Sequence, residues 1–464
     1  LLVGMQVFAS QGVSAGTAPR WKPGGSPAPT VSGVTVGAKL SQTKLVQGQD
    51  GTVYVNLSIH TPQGHNEQEA KAPTDFVVVL DRSPSMLAAN KFPFAKAAVV
   101  ELINKLDEGD RLGLIAFDRR AQIYSELVDI TPRARQRLIH LVNNLTVGSA
   151  TNIGDGLIRA RALIEASPSH RVKKILLLSD GETNRGITDP NALARMASDI
   201  SSRHIVLSTI GMGLGFNEAL MASLADHGMG NYSYLEHLNT LGHILAKDLE
   251  DTHLIYAANS ELRLQLHDGV KLVDAAGYPV EKIGRHATYI RIKTGQLLRG
   301  SHKTLVLTLN SPTATPGDFS LGDIAWQFSV DGQAKQATVE RQQLAYAVVE
   351  PAKKKEAMAS ISKKVYRKSW LRNNLGRMRQ KFYQQVKEGN KNEAQAVVDD
   401  YRRELRKAEE DSGLSIRNQK LDKDLAEMET GLEDAFSGAP AVQAAKRNSF
   451  SKSMQSRSRD EQRK

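Results

Sequence analysis

The chain has 464 residues, 40% of them hydrophobic, with no cysteine and a net charge of +11. At roughly 100–200 residues per domain that length allows two to four domains with a sizeable core. The lack of cysteine excludes disulfides, thiol catalysis, zinc–thiolate sites and a lipid-modified cysteine. No apolar run is long enough to span a membrane as a helix. The charge is uneven: residues 351–464 hold 27 Lys/Arg against 17 Asp/Glu, and the remaining 350 residues are nearly neutral. Any electrostatic partner therefore concerns the C-terminal region.

In chain order, LLVGMQVFASQGVSA reads as the tail of an apolar leader ending in the small residues Val13, Ser14 and Ala15, the pattern of a signal-peptide remnant. The Gly/Pro/Ser-rich stretch that follows, to residue 32, reads as a linker. From 33 to 69, VTVGAKLSQTKLV and GTVYVNLSIH alternate apolar and polar residues as half-buried strands do, before a polar connector. From 70 to 255 the pattern becomes strands alternating with helices. DFVVVLD, RLGLIAFD, VKKILLLSD and HIVLSTIGMG are apolar strand runs, AQIYSELVDI suits an edge strand, and KFPFAKAAVVELINKL carries Phe94, Ala98, Leu102 and Leu106 at helical spacing. Such alternation predicts a parallel sheet with right-handed crossovers.

Alternation returns over 256–350 in ELRLQLH, VKLVDA, TYIRIK, TLVLTLN, DIAWQFSV and ATVERQQLAYAVV. Five or six such strands with turn-rich connections predict a β-sandwich. A lone hairpin is marginal in water, so the strands of 33–69 are expected to join this sandwich, with the α/β domain inserted between the two groups. Residues 351–440 form a basic helical region with apolar residues such as Leu371, Leu375, Met378, Phe382 and Val386 at three- to four-residue spacing. Its first helix, with Tyr366, Trp370 and Phe382, suits an anionic membrane surface. Packing of its apolar stripe on the neighbouring helices is the competing reading. Residues 441–464, rich in Ser, Arg, Lys and Gln, read as a disordered tail.

The stretch DFVVVLDRSPSM ends an apolar strand in Asp81 and follows it with Ser83 and Ser85. In an open parallel α/β sheet ligands bind beyond the carboxyl ends of the strands. Asp180 ends another strand, in ILLLSDGETN, and Thr151 lies on the loop GSATNIGDG. Alternation in Asp81-x-Ser83-x-Ser85 is expected to point three oxygens one way from an extended turn. Five oxygen donors without His or Cys select a hard cation, Mg²⁺, Mn²⁺ or Ca²⁺, over zinc.

Segment 70–255 resembles the von Willebrand factor A domain family, whose metal-ion-dependent adhesion site is an Asp-x-Ser-x-Ser motif with a distant Thr and a distant Asp. Here those positions are Asp81, Ser83, Ser85, Thr151 and Asp180. The family's Gly between the serines is Pro84 in this chain, which fixes φ at about −65°. The resemblance implies a Rossmann-like sheet, a bound Mg²⁺ or similar ion, and adhesion or protein binding through a partner's exposed Asp or Glu instead of catalysis. An A domain flanked by β-strands and followed by helices is similar to bacterial secreted A-domain proteins and, more distantly, to inter-alpha-trypsin inhibitor heavy chains. The setting implied is extracytoplasmic, with no nucleic-acid partner. A scaffold or envelope-assembly component binding through its basic helices is the alternative.

Other signals are weaker. GMGLGFNEAL follows a strand and precedes a helix, but its glycines do not space as G-x-G-x-x-G. No G-x-S-x-G elbow supports Ser83 or Ser85 as a nucleophile, and His140, His170 and His204 are distant in sequence. Asp155 and Glu182 read as helix-start or loop carboxylates.

Overall fold

A computed structural model of the chain describes residues 31–463 apart from 64–72, 169–170, 182, 213–216, 236–237, 285–288 and 331. The leader reading, Glu182, His170 and the glycine-rich turn of GMGLGFNEAL therefore lie outside the described residues. The chain begins with β1 (Thr35–Leu40), β2 (Lys44–Val46) and β3 (Thr52–His60). An α/β domain follows, with β4 (Thr74–Asp81), α1 (Lys91–Lys105), β5 (Arg111–Phe117), β6 (Ala121–Asp129), α2 (Pro132–Asn143), α3 (Ile153–Glu165), β7 (Val172–Ser179), α4 (Pro190–Ser202), β8 (Ile205–Met212), α5 (Glu218–His227), β9 (Met229–Leu235) and α6 (Leu238–His253).

The six strands form one sheet in the order β6-β5-β4-β7-β8-β9. All neighbours are parallel except β6, which runs antiparallel on the edge. β4 is buried along its whole length, the condition under which a strand reads as an unbroken apolar run. One face is covered by α1, α2 and α6 through Val99, Leu102, Leu138, Val142 and Leu249. The other is covered by α3, α4 and α5 through Ile153, Leu157, Leu193, Ile200 and Leu224. Strand order reverses at β4, which has β5 on one side and β7 on the other, so its carboxyl end opens at a topological switch point.

After α6 the chain returns to antiparallel strands: β10 (Ile255–Leu266), β11 (Lys271–Asp274), β12 (Val280–Ile283), β13 (Tyr289–Leu298), β14 (His302–Asn310), β15 (Gly317–Ser320), β16 (Gly322–Val330), β17 (Gln333–Thr338) and β18 (Ala345–Val349). One sheet has the order β1-β3-β14-β11 and another β12-β13-β10-β16-β17. β3 pairs with β14 from His60↔His302 to Thr52↔Asn310, so strands from both sides of the α/β domain share a ladder. They share a core too, in which Val53, Val55, Leu57 and Ile59 meet Leu262, Leu264, Ile292, Leu307 and Trp326. A small third sheet, β15-β18-β2, joins β2 parallel to β18.

The C-terminal region holds α7 (Lys354–Ala359), α8 (Lys363–Glu388), α9 (Lys391–Ser412), α10 (Gln419–Ala435) and α11 (Pro440–Arg463). Helices α8 and α9 stop at Gly389 and Gly413, both left-handed at φ +89° and +65°, the usual glycine device for ending a helix. The lipid-facing reading of α8 is corrected by its packing. Trp370, Phe382 and Met378 join Tyr54 of β3 and Val306 of β14 in one core, Tyr366 meets Tyr54 edge-on at 5.7 Å, and Asn373 donates to the Thr308 hydroxyl at 2.6 Å. Its aromatic stripe is thus covered by a β-sheet as well as by helices. The disordered-tail reading of 441–464 is corrected too. The segment is helical through Arg463; Phe450 packs edge-on against Phe382 at 6.1 Å and Met454 is buried. Its few apolar residues are enough because α8 and α10 offer a face already formed. No helix among the described residues is long and apolar enough to cross a membrane.

Candidate metal and partner site

β4 delivers Asp81 to the rim of the sheet with no exposed surface. Its Oδ1 accepts the Ser83 amide at 2.8 Å and its Oδ2 accepts the Ser179 hydroxyl at 2.5 Å. Burial pushes the Asp81 carboxyl up to about 7, and the charge of Asp180 adds to the rise against the hydrogen bonds from Ser179 and Ser83. Ser83 is buried and extended, at φ −65° and ψ 161°, and precedes a 3₁₀ segment over Pro84–Asn90 that is kinked at Ala88 and Ala89. Pro84 takes the first position of that turn, where a missing N–H costs nothing. The turn curls Ser85 back, leaving its hydroxyl 3.0 Å from that of Ser83. The extended geometry expected of the motif is therefore corrected: the oxygens converge because the chain turns after Ser83, not because it alternates.

Asp180 follows β7 and is wholly buried. Lys91, the first residue of α1 and itself only 7% exposed, places its ammonium 2.9 Å from Asp180 Oδ2. The Asp180 carbonyl accepts the Asn217 amide at 2.8 Å. Gly181 continues at φ +69°, where a Cβ would stand 3.0 Å from the Asn217 carbonyl oxygen, so the turn needs glycine.

Thr151 is 1% exposed. Its amide donates to Asn184 Oδ1 at 3.0 Å, and its carbonyl accepts the amides of Asn184 and Arg185 and the Thr183 hydroxyl. The loop before it is fixed to the Asp81 turn: Gly148 donates to the Arg82 carbonyl at 2.6 Å, and Arg82 pairs with Asp118 at 3.3 Å. The Thr151 loop is thus bonded both to the residue after Asp81 and to the segment after Asp180. Direct hydrogen bonds join Asp81, Ser83 and Ser85. Asp180 is linked to them by its neighbour Ser179 and by its field, and the bonds of Thr151 run through its backbone.

Two residues were not anticipated from sequence, Lys91 and Ser179. Ser179 carried a signal, a hydroxyl closing an otherwise apolar strand next to an acid. Lys91 carried none, since a lysine at a helix start reads as solvated. Asp155 behaves as a helix-start carboxylate, with Oδ2 accepting the Ala121 amide at 2.6 Å. His140 bonds Asn144 on its own helix, and His204 bonds Asn259.

The donor set suits a hard divalent ion. Of the two buried carboxylates, Asp180 faces the buried Lys91, and with the hydroxyls of Ser83, Ser85 and Thr151 the candidate donors are all oxygen. A carboxyl raised by desolvation and by a like charge is one that a bound cation would return to its ionised form.

Comparison with known proteins bears on the fold. The sequence matches the von Willebrand factor type A domain over residues 75–247. It is 26% identical over 255 residues, 54% of this chain, to the uncharacterized protein YfbK of Escherichia coli (strain K12), and spans 44% of that protein. It is 27% identical over 171 residues, 35% of this chain, to human inter-alpha-trypsin inhibitor heavy chain H3, and spans 19% of it. The chain thus covers less than half of either relative. Among solved structures, a von Willebrand factor type A protein from Catenulispora acidiphila superposes with a TM-score of 0.66 over 91% of this chain and 96% of its own, at 16% identity. That likeness concerns the fold, flanking sheets and helices included. Residues 75–247 of this chain are a von Willebrand factor type A domain.

Proposed function

We propose that this chain is a metal-dependent protein-binding module of an exported protein, in which Asp81, Ser83, Ser85, Thr151 and Asp180 hold a divalent cation, Mg²⁺ or the similar Mn²⁺ or Ca²⁺. The observation that carries the reading is the hydrogen-bonded cluster of buried Asp81 and Ser83 with half-buried Ser85 at the switch point, beside the Asp180–Lys91 pair. An ion held there by few carboxylates keeps electrophilic character, and its chemistry is capture of an Asp or Glu side chain from a partner. The chain's own residues orient the donors: Ser179 and the Ser83 amide fix the Asp81 carboxylate, and Lys91 fixes Asp180. Leu87, 62% exposed on the turn that carries Ser85, offers an apolar contact next to the captured carboxylate.

Calorimetric titration with Mg²⁺ tests this. Saturable binding by the native chain that vanishes in Asp81→Ala is the expected result, and equal behaviour of the two proteins sinks the reading. Partner capture from an envelope extract is expected to be lost with EDTA. It is also expected to weaken in Leu87→Asp while Mg²⁺ binding persists.

A second reading, an envelope scaffold, rests on the exposed cations Lys353, Lys354, Lys355, Lys363, Lys364, Arg367 and Lys368 beside β2 and β3. Deleting the region would strip α8 from β3 and β14, so charge reversal at Lys363, Lys364, Arg367 and Lys368 is the cleaner probe. Capture that survives EDTA but dies with that reversal favours the scaffold.

A further inference from the structure

The opposite end of the α/β sheet carries a second group of ligating side chains. Asp107 and Asp110 lie on the turn between α1 and β5, and His253 ends α6; one ligand atom from each lies within 4.8 Å of the others. Asp110 is 3% exposed and His253 8%, whereas Asp107 faces solvent. β4 is fully extended between its first residue and Asp81, so this end stands roughly 20 Å from the Asp81 rim at about 3.3 Å per residue.

Two observations take the group beyond an acidic cluster. First, His253 Nε2 is a buried nitrogen with no hydrogen-bond partner among the described residues, and it stands 3.5 Å from Asp110 Oδ2. Two ligands about 2.1 Å from a tetrahedral zinc lie about 3.4 Å apart, so this pair already has the spacing of two zinc ligands. Second, Asp110 is pre-oriented. Its Oδ1 accepts the Thr74 amide and its Oδ2 the Asp107 amide, each at 3.0 Å. A carboxylate has about four lone-pair sites, so these bonds hold it without exhausting it. Arg111 and Arg171 both pair with the buried Asp75 at 2.6 Å, and Lys174 pairs with Asp248 at 2.6 Å.

We propose that Asp107, Asp110 and His253 form a second divalent-metal site, distinct from the Asp81 rim, selective for Zn²⁺ or a similar imidazole-binding ion. One imidazole with two carboxylates favours zinc over Mg²⁺ or Ca²⁺. The exposed Asp107 closes onto the ion, and water fills the fourth position. The site's place gives it a role. Thr74, bonded to Asp110, is where the chain enters the α/β domain from β3, and His253 stands two residues before β10, where the chain leaves it. An ion there ties entry and exit together and stiffens the neck between the α/β domain and the flanking sheets.

The test uses full-length Asp81→Ala protein, which lacks the proposed rim site, stripped with EDTA and titrated with Zn²⁺. One saturable equivalent is expected. His253→Ala in that background is expected to weaken it at least about 100-fold, since even outer-shell changes cost 10–100-fold. Co²⁺ in place of Zn²⁺ is expected to show visible bands of a low-symmetry nitrogen–oxygen site that disappear in His253→Ala. Should His253→Ala fail to fold, the exposed Asp107→Asn decides in its place, with weaker Zn²⁺ binding expected. No saturable Zn²⁺ uptake, or affinity untouched by either substitution, overturns the proposal.

Discussion

Asp81 and Asp75 show how differently one strand treats its two acids. Burial lifts the Asp81 carboxyl to about 7, against about 3.9 in an unfolded chain. Between those values the folded state holds a proton that the unfolded state has lost, so this group's stabilisation is fullest below about pH 4 and declines as pH rises through about 7. Burial raises Asp75 as well, but hydrogen bonds from Arg111, Ser167 and Arg171 outweigh it and hold that carboxyl below its usual range. Its contribution is present above the unfolded value and is lost on acidification. In EDTA, the urea midpoint is therefore expected to fall between pH 5 and 8 and to stay flat in Asp81→Asn; equal slopes would refute the assignment to Asp81. Lys91→Met leaves Asp180 buried without its ammonium, and a loss of about 3–5 kcal/mol in EDTA is expected, as when one partner of a buried ion pair is removed. Denaturant unfolding at pH 7 measures it, and a loss below about 1 kcal/mol, the scale of exposed pairs, would count against the pair's burial. Asp81 and Asp180 could be placed at strand ends from the apolar runs before them, in DFVVVLD and ILLLSD, and Ser83 and Ser85 from their spacing after Asp81. Lys91 was not, because only the packing of α1 against the sheet turns a helix-start lysine inward.

The elements were read with uneven success, and the reason is length. β4, β7 and β8 are eight residues each and are built around apolar runs such as FVVVL and ILLL, enough to distinguish a doubly covered strand. The four-residue strands Val280–Ile283 and Gly317–Ser320 are too short to display a period, and ATVERQQLAYAVV runs β17 and β18 together, so the sequence suggested five or six strands after residue 255 where the described residues form nine. α11 failed for a different reason. Its sequence is mostly polar, with Phe450 and Met454 too sparse to show a stripe, and its seat against α8 selects the helix, a tertiary effect that no local pattern carries. Phe382 sits at the centre of that seat and has no exposed surface. Phe382→Ala is expected to cost about 3–5 kcal/mol, as large-to-small changes at buried aromatic positions do. Loss of protease protection in α11 should accompany it; a drop under about 1 kcal/mol would show the C-terminal helices to be loosely held.

At the scale of the molecule, the α/β domain has its own two-faced core, and its entry and exit lie side by side at Thr74 and His253. An excised fragment 73–254 is expected to unfold cooperatively and to keep the Mg²⁺-dependent stabilisation of the full chain. A fragment that is unfolded by circular dichroism, or indifferent to Mg²⁺ where the full chain responds, would show that the flanking sheets complete the site. The sequence disclosed this insertion through its change of period near residue 70 and back near 256, but not that α8 would lie across β3 and β14.

The β3–β14 ladder has a consequence for biosynthesis. His60 emerges from the ribosome about 240 residues before its partner His302, a delay of roughly 12–50 s at 5–20 residues per second. Throughout that interval the whole inserted domain can be translated and begin to fold, while β3, with Val53, Val55, Leu57 and Ile59 destined for the interior, has β1 but lacks its second neighbour. The nascent chain thus displays a sticky strand tethered to a maturing domain, a segment that a chaperone would have to shield until β14 arrives.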